Sequence, residues 1–378
     1  MRKSVVIKKI AKSLLPSKLY GILRDVVYRP NADPEGWKRY RKDPLMPAEL
    51  IEMFDAYESH SGTNATSKFW IALNNAHIRR LLENGYENFR QTIAIDYFTW
   101  LVEKDDPQMQ FLLQHLPEEK IALVKRLARS APKHPYFTPE QSLRYNTITL
   151  LLWEYAQQQE AGPELEQLGE PGEGNPPFVK MGKKWISEDL LNSVLEFKSV
   201  SEGCDLSRMQ TVMELGAGYG RDAYVFLKLM PHLRYLIVDI PPALYISQRY
   251  LSNQFPDRRV FKWRVFKSYS DVEKELNSSS IVFLMPWQLT LLPEKVVDLC
   301  MAIDSLHEMR HDQIEDYFHI IDRLTRNNFY FKCWKTSINR IDGLTVQENS
   351  YPVRPQWRKI FWRDCRVQTA YFEALYAL

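Results

Sequence analysis

The chain has 378 residues, enough for two folding units, and 45% of them are apolar, which excludes a disordered, collagen-like or disulfide-scaffolded protein. Fifty Lys and Arg against 47 Asp and Glu leave a net charge of +3, too small for a global nucleic-acid binder, so any basic contact is local. Cys204, Cys300, Cys333 and Cys365 lie tens of residues apart without metal-knuckle spacing, and no apolar run reaches the roughly 18 residues of a membrane span, so the chain reads as soluble and cytoplasmic.

Residues 1–30 form a basic amphipathic segment. Val6, Ile7, Ile10, Ala11, Leu14 and Leu15 make one helical stripe, Lys8, Lys9 and Lys12 lie opposite, and Pro16 ends it. The lysines interrupt what would be the apolar core of a secretion signal. Such a helix suits peripheral contact with the inner face of the membrane, or packing on its own body or a second subunit in an oligomer; both readings stand.

Residues 31–159 are predicted to be a helical domain that acts as a substrate-binding lid. Apolar positions recur at three and four over Glu49–Tyr57, Ser67–Leu82, Glu118–Ala128 and Pro139–Gln158. The cluster Asn88, Phe89, Arg90 and Tyr97 to Trp100 is a candidate cleft lining. Residues 160–178, rich in Gly, Pro, Glu and Gln, read as a linker without regular structure. A helix then opens at Ser187 as N-cap, with Glu188 and Asp189 in its first turn, and runs to about Phe197.

Residues 179–378 change rhythm. Short apolar runs alternate with helical stretches, the pattern of a parallel sheet covered on both faces. The predicted strands are Thr211–Leu215, Tyr235–Ile240, Ile281–Met285, Val297–Ile303 and Phe329–Trp334, with Val260–Phe266 as a candidate extra strand and Trp357–Tyr376 as a final pair. The fold class is α/β, a doubly wound Rossmann-like sheet, and its ligands belong at the carboxyl ends of the strands where chain order reverses.

Gly216, Gly218 and Gly220 alternate immediately after the first of these strands and before a helix, where bare backbone can turn sharply against a nucleotide-like ligand. Asp239, 19 residues after Gly220, ends the next strand, where a carboxylate can hold two ribose hydroxyls. The spacing differs from the Gly-x-Gly-x-x-Gly of dinucleotide sites, and a nearby carboxylate, Glu214, suits a cation better than a pyrophosphate. The amino group of the methionine part of S-adenosylmethionine is such a cation.

Glu214-Leu-Gly-Ala-Gly-Tyr-Gly-Arg221, Val238-Asp-Ile-Pro-Pro-Ala-Leu-Tyr-Ile-Ser-Gln248 and Ser305-Leu-His-Glu-Met309 resemble class I S-adenosylmethionine-dependent methyltransferases, and more narrowly the bacterial sugar O-methyltransferase family. The resemblance covers roughly residues 180–378. It implies a seven-stranded methyltransferase sheet, a cofactor loop at Gly216, Ala217, Gly218 and Gly220, and a ribose ligand at Asp239 beside Ile240. It further implies adenine contacts at Pro286, Trp287 and Gln288, although the family's usual acidic residue is absent there. The partner it implies is a sugar or glycan acceptor.

A sugar hydroxyl is protonated at neutral pH, so its methylation calls for a base as well as in-line alignment. Asp304, Ser305, His307 and Glu308 follow the strand Val297–Ile303, beside the cofactor's methionine end. His307, with a reference pKa of about 6.5, is the expected general base, and Glu308 or Asp304 its orienter. A divalent metal held by Asp304, Glu308 and Asp312 is the less favoured route, since no ligand spacing supports it.

Arg221, Lys332, Lys335, Arg354, Arg358, Arg363 and Arg366 either attract an anionic acceptor such as a uronic acid or nucleotide-linked sugar, or form a solvated face, the favoured reading. Three rival functions share much of this pattern: a methyltransferase for a non-sugar small molecule or protein side chain, a non-catalytic scaffold in a glycan assembly complex, and a nicotinamide oxidoreductase. A nucleic-acid base methyltransferase is disfavoured, because no Asn or Asp followed by Pro-Pro and an aromatic ends the fourth strand.

Overall fold

The computed structural model of the chain describes residues 32–60, 66–96 and 106–378. The basic N-terminal stripe and the aromatic cluster Tyr97 to Trp100 lie outside the described residues.

The described residues of the first half are mainly helical, as its periodicity predicts: α1 (Ala48–His60), α2 (Lys68–Asn84), α3 (Phe89–Thr92), α4 (Pro107–His115), α5 (Glu118–Ser130) and α6 (Pro139–Gln158). Their starts follow local chemistry. Ser67, Asp106 and Thr138 each accept a backbone N–H of the first turn, and Pro107 and Pro139 stand where a missing N–H costs nothing. The linker is not devoid of structure: α7 (Gly162–Gln167) forms there, with Pro163 in its first turn and Leu165 buried. Two short hairpins were also not anticipated. β1 (Val179–Met181) pairs with β2 (Lys184–Ile186) across Gly182 at φ +59°, a left-handed position that glycine occupies freely. The helix capped by Ser187, α8 (Glu188–Gly203), runs two turns beyond Phe197 because Val200 continues its buried stripe.

The sheet contains β3 (Thr211–Leu215), β4 (Arg234–Val238), β5 (Val260–Phe261), β6 (Ile281–Leu284), β7 (Val297–Ile303) and β8 (Thr325–Trp334). The hairpin β9 (Thr336–Asn339) and β10 (Leu344–Gln347) stands apart, and β11 (Arg358–Asp364) and β12 (Tyr371–Ala377) complete the sheet. Its order is β11-β12-β8-β7-β3-β4-β6-β5. The strands from β8 to β5 are parallel and β12 is antiparallel to both neighbours, so the seven expected strands are present with the two-residue β5 added at one edge. β3 and β7 are buried at every position, which is why they read as mainly apolar runs rather than alternating ones, each interrupted by one buried acid, Glu214 and Asp298. Between them lie α9 (Arg221–Leu229), α10 (Ala243–Gln254), α11 (Glu273–Ser278) and, after β7, α12 (His311–Leu324).

Chain order reverses at β3, which pairs with β4 on one side and β7 on the other. One hydrophobic cluster runs from Leu50 and Ile148 through Leu191 to Tyr235 and Leu375, so the helical half packs directly on one face of the sheet. The other face carries a second cluster around Phe318, Phe329 and Phe331. Among the described residues no helix is long and apolar enough to cross a membrane.

Candidate active site

A cavity of about 340 Å³ opens at the carboxyl ends of β3, β4, β6 and β7. Gly216 (φ +75°) and Gly218 (φ +59°) form part of its wall. A Cβ at Gly216 would stand 2.4 Å from the Cβ of Ser305, whose hydroxyl donates to the Leu215 carbonyl at 2.9 Å. The turn is thus held against the end of β7 by a contact only glycine permits. Gly220 (φ +88°) begins α9 with Leu251 against it, and Ala217 is buried; neither lines the cavity, and both serve the shape of the turn.

Asp239 follows β4 directly at the cavity wall, beside Ile240. Its carboxylate accepts the N–H of Gly218 at 2.7 Å and that of Ile240 at 2.7 Å. Burial pushes its pKa up to about 7, against the pull of those two bonds. Glu214 is placed differently from the expectation. It is buried, where it accepts the hydroxyl of Tyr235 at 2.7 Å, and burial raises its pKa to about 8. Its carboxylate is committed to Tyr235 and is not part of the cavity wall.

At the end of β7 the backbone of Asp304 turns left-handed (φ +55°) and its N–H donates to the Lys332 carbonyl at 2.9 Å. Asp304, Ser305 and Glu308 line the cavity. His307 does not: the short turn Leu306–Glu308 tucks it beneath the wall, 3% exposed, against Trp334 and Tyr371. Its Nε2 lies 3.5 Å from Asp304 Oδ1 and 4.0 Å from Glu308 Oε1. The expected order is therefore reversed, with the carboxylates in front and the imidazole behind. Asp304 Oδ1 also accepts the Tyr371 hydroxyl at 2.8 Å, and burial pushes its pKa up to about 7.

After β6, Pro286 and Trp287 line the cavity. Gln288 does not: it is fully buried, accepting the Met285 N–H and donating to the Arg264 carbonyl, both at 2.8 Å, so its amide is committed to the turn. Trp287 stacks on His60 at the end of α1, with centroids 3.9 Å apart, and its indole nitrogen is buried with no hydrogen-bond partner among the described residues. Tyr57, Trp70 and Asp96 from the helical half, and Gln313, Asp316 and Tyr317 from α12, complete the wall. The spacing 313, 316, 317, 320 marks one face of α12, a signal that periodicity alone assigns to burial rather than to a ligand.

Beneath the glycine turn lies an ion network the sequence reading missed. Glu196 of α8 pairs with Arg221 and, at 2.8 Å, with Lys332. Burial opposes its charge, yet the two cations hold its pKa down at about 2. Beside it Asp189 accepts the Tyr219 hydroxyl at 2.8 Å and Arg90 at 3.1 Å. Arg221 and Lys332 are thus neither a solvated face nor an acceptor grip: they brace the turn and the end of β8 from inside. Charged residues within the apolar runs Leu190–Phe197 and Phe329–Trp334 were the available signal. Among the described residues no three His, Cys, Asp or Glu side chains gather as a metal site.

No family model matches the chain, and no curated protein matches it. Among solved structures, a mitomycin 7-O-methyltransferase is 11% identical over 73% of this chain and 70% of its own, with a TM-score of 0.36. The 1,6-didemethyltoxoflavin-N1-methyltransferase of Burkholderia thailandensis is 14% identical over 65% and 93%, at 0.34. An S-adenosylmethionine-dependent methyltransferase of Clostridium acetobutylicum is 13% identical over 49% and 90%, also at 0.34. Likenesses at this level add nothing to what the strand order already shows.

Proposed function

We propose that the chain is an S-adenosylmethionine-dependent O-methyltransferase acting on a sugar hydroxyl, with the helical half closing over the acceptor. The observation that carries this reading is that the Gly216–Gly218 turn, Asp239 and the carboxylates ending β7 all face one cavity at the point where strand order reverses. The residues present fit the cofactor. Bare backbone at Gly216 and Gly218 admits close approach, Asp239 offers acceptors for ribose hydroxyls, and Trp287 offers a ring and an N–H with no partner among the described residues. Five carboxylates on the wall suit a cationic donor.

When bound, S-adenosylmethionine supplies a methyl group on a sulfonium whose S–C bonding electrons stay with sulfur on transfer. The chain's own task is to align the acceptor, exclude water and take the hydroxyl proton. Asp304 is the acceptor of that proton in this reading. It stands on the wall with a pKa near neutrality, where a general base is most effective, and Tyr371 and His307 hold it. His307 then acts through Asp304 rather than on the substrate.

Calorimetric titration with S-adenosylhomocysteine and with NAD tests the cofactor: binding of the first and not the second is expected, and loss of that binding in Asp239→Ala. Asp304→Asn should lower methyl transfer by about 10²–10⁴-fold while leaving S-adenosylhomocysteine affinity within a few-fold. NAD binding alone, or full turnover by Asp304→Asn, would end the reading.

A further inference from the structure

We propose that the acceptor carries no phosphate, carboxylate or sulfate: it is an uncharged or amine-bearing glycoside. This deepens the methyl-transfer reading and rests on it. The cations that the sequence offers as a grip for an anionic sugar are all elsewhere. Arg221 and Lys332 are consumed by Glu196. Arg354 pairs with Glu315 at 3.0 Å, Arg363 with Glu202 at 2.6 Å and Glu373 at 2.7 Å, and Lys335 with Asp364 at 2.9 Å. None of them, nor Arg358 or Arg366, lines the cavity.

Among the described residues the wall contains no Lys or Arg, and it contains Asp96, Asp239, Asp304, Glu308 and Asp316. The cations adjoining it face their own acids. Arg80 donates to Asp96 and to the Thr92 carbonyl, and Arg310, next to the wall residue Met309, pairs with Asp312 at 2.6 Å. A bound sulfonium donor brings one net positive charge to a wall of five carboxyl groups. A uronate or phosphate entering the remainder would lose its hydration and, among the described residues, meet no Lys or Arg on the wall. Sugar hydroxyls, by contrast, donate to carboxylates, and the C–H face of a sugar ring packs on aromatic side chains such as Tyr57, Trp70 and Tyr317 on the same wall. The carboxylates thus act by exclusion as much as by attraction.

The test offers the full chain, with labelled S-adenosylmethionine, a matched set of acceptors: neutral glycosides, 2-amino glycosides, the corresponding uronides and nucleotide-linked sugars. Turnover is expected on neutral or amine-bearing members, with kcat/KM about 100-fold or more above the anionic ones. Asp316→Lys should raise the ratio of uronide to neutral turnover by about tenfold. Equal or better use of an anionic acceptor, no turnover on any neutral or amine-bearing one, or an unmoved ratio in Asp316→Lys would each overturn the inference. Calorimetry with S-adenosylhomocysteine on the same sample separates the two failures: binding together with an anionic preference sinks only the inference, whereas absent binding sinks the methyl-transfer reading beneath it.

Discussion

Replacing Gly216 by alanine probes whether the turn after β3 must be bare. Two separable costs follow from the structure. The backbone sits at φ +75°, which charges an L-residue about 1–2 kcal/mol. The new methyl also lands 2.4 Å from Ser305 Cβ, where ordinary contact begins at 3.4 Å, and forced overpacking of this kind costs about 1–3 kcal/mol. Together they predict a loss of about 2–5 kcal/mol in unfolding free energy. A turn displaced from Asp239, which accepts the Gly218 N–H at 2.7 Å, should also bind S-adenosylhomocysteine at least about tenfold more weakly, equivalent to 1.4 kcal/mol. Urea unfolding followed by tryptophan fluorescence measures the first effect and calorimetric titration the second. The clash part belongs to Ser305, so Gly216→Ala combined with Ser305→Gly should recover about 1–3 kcal/mol relative to the sum of the single variants. A Gly216→Ala protein within about 0.5 kcal/mol of the parent, or strict additivity in the double variant, would refute the reasoning.

Glu214 is buried uncharged at low pH, with a pKa raised from 4.5 to about 8. Its contribution to stability is therefore full below pH 4.5 and lost as pH rises through 8, so Glu214→Gln should stabilise the protein at pH 9 relative to pH 5 by on the order of 2–4 kcal/mol, read from melting profiles. Lys332→Met removes one of the two cations on Glu196 and should cost about 3–5 kcal/mol in thermal or urea unfolding, much of it restored by adding Glu196→Gln. Asp342, at the tip of the β9–β10 hairpin, accepts the N–H groups of Lys68 and Phe69 at 2.8 and 3.0 Å. Asp342→Ala should lose about 0.5–2 kcal/mol of stability and loosen α2, measured by amide exchange over residues 68–73.

Much of the architecture was written in local pattern. Thr211–Leu215 and Val297–Ile303 are buried at every position because both faces of the sheet are covered, each is mainly apolar apart from Thr211, Glu214 and Asp298, and each has its predicted bounds. Alternating glycines after a strand and an acid at the end of the next strand are likewise short-range signals, and they led to one wall of the cavity. Short strands escaped: β1 and β2 have three residues each, too few to establish a period, and β9 and β10 four.

What only the tertiary structure decided is which side chains face the cavity and which face the core. Gln288 and Glu214 sit beside true wall residues in sequence, yet one is spent on the Met285 turn and the other on Tyr235. His307 is hidden by a turn of three residues that carries Glu308 forward. Glu196 and Lys332 meet across 136 residues of chain, and Asp342 and Lys68 across 274. Turn and strand preferences are set by neighbours within a few bonds and so can be read along the chain. The pairing of a buried charge is set by which partner the packed fold brings within 3 Å, and linear order carries no record of that distance.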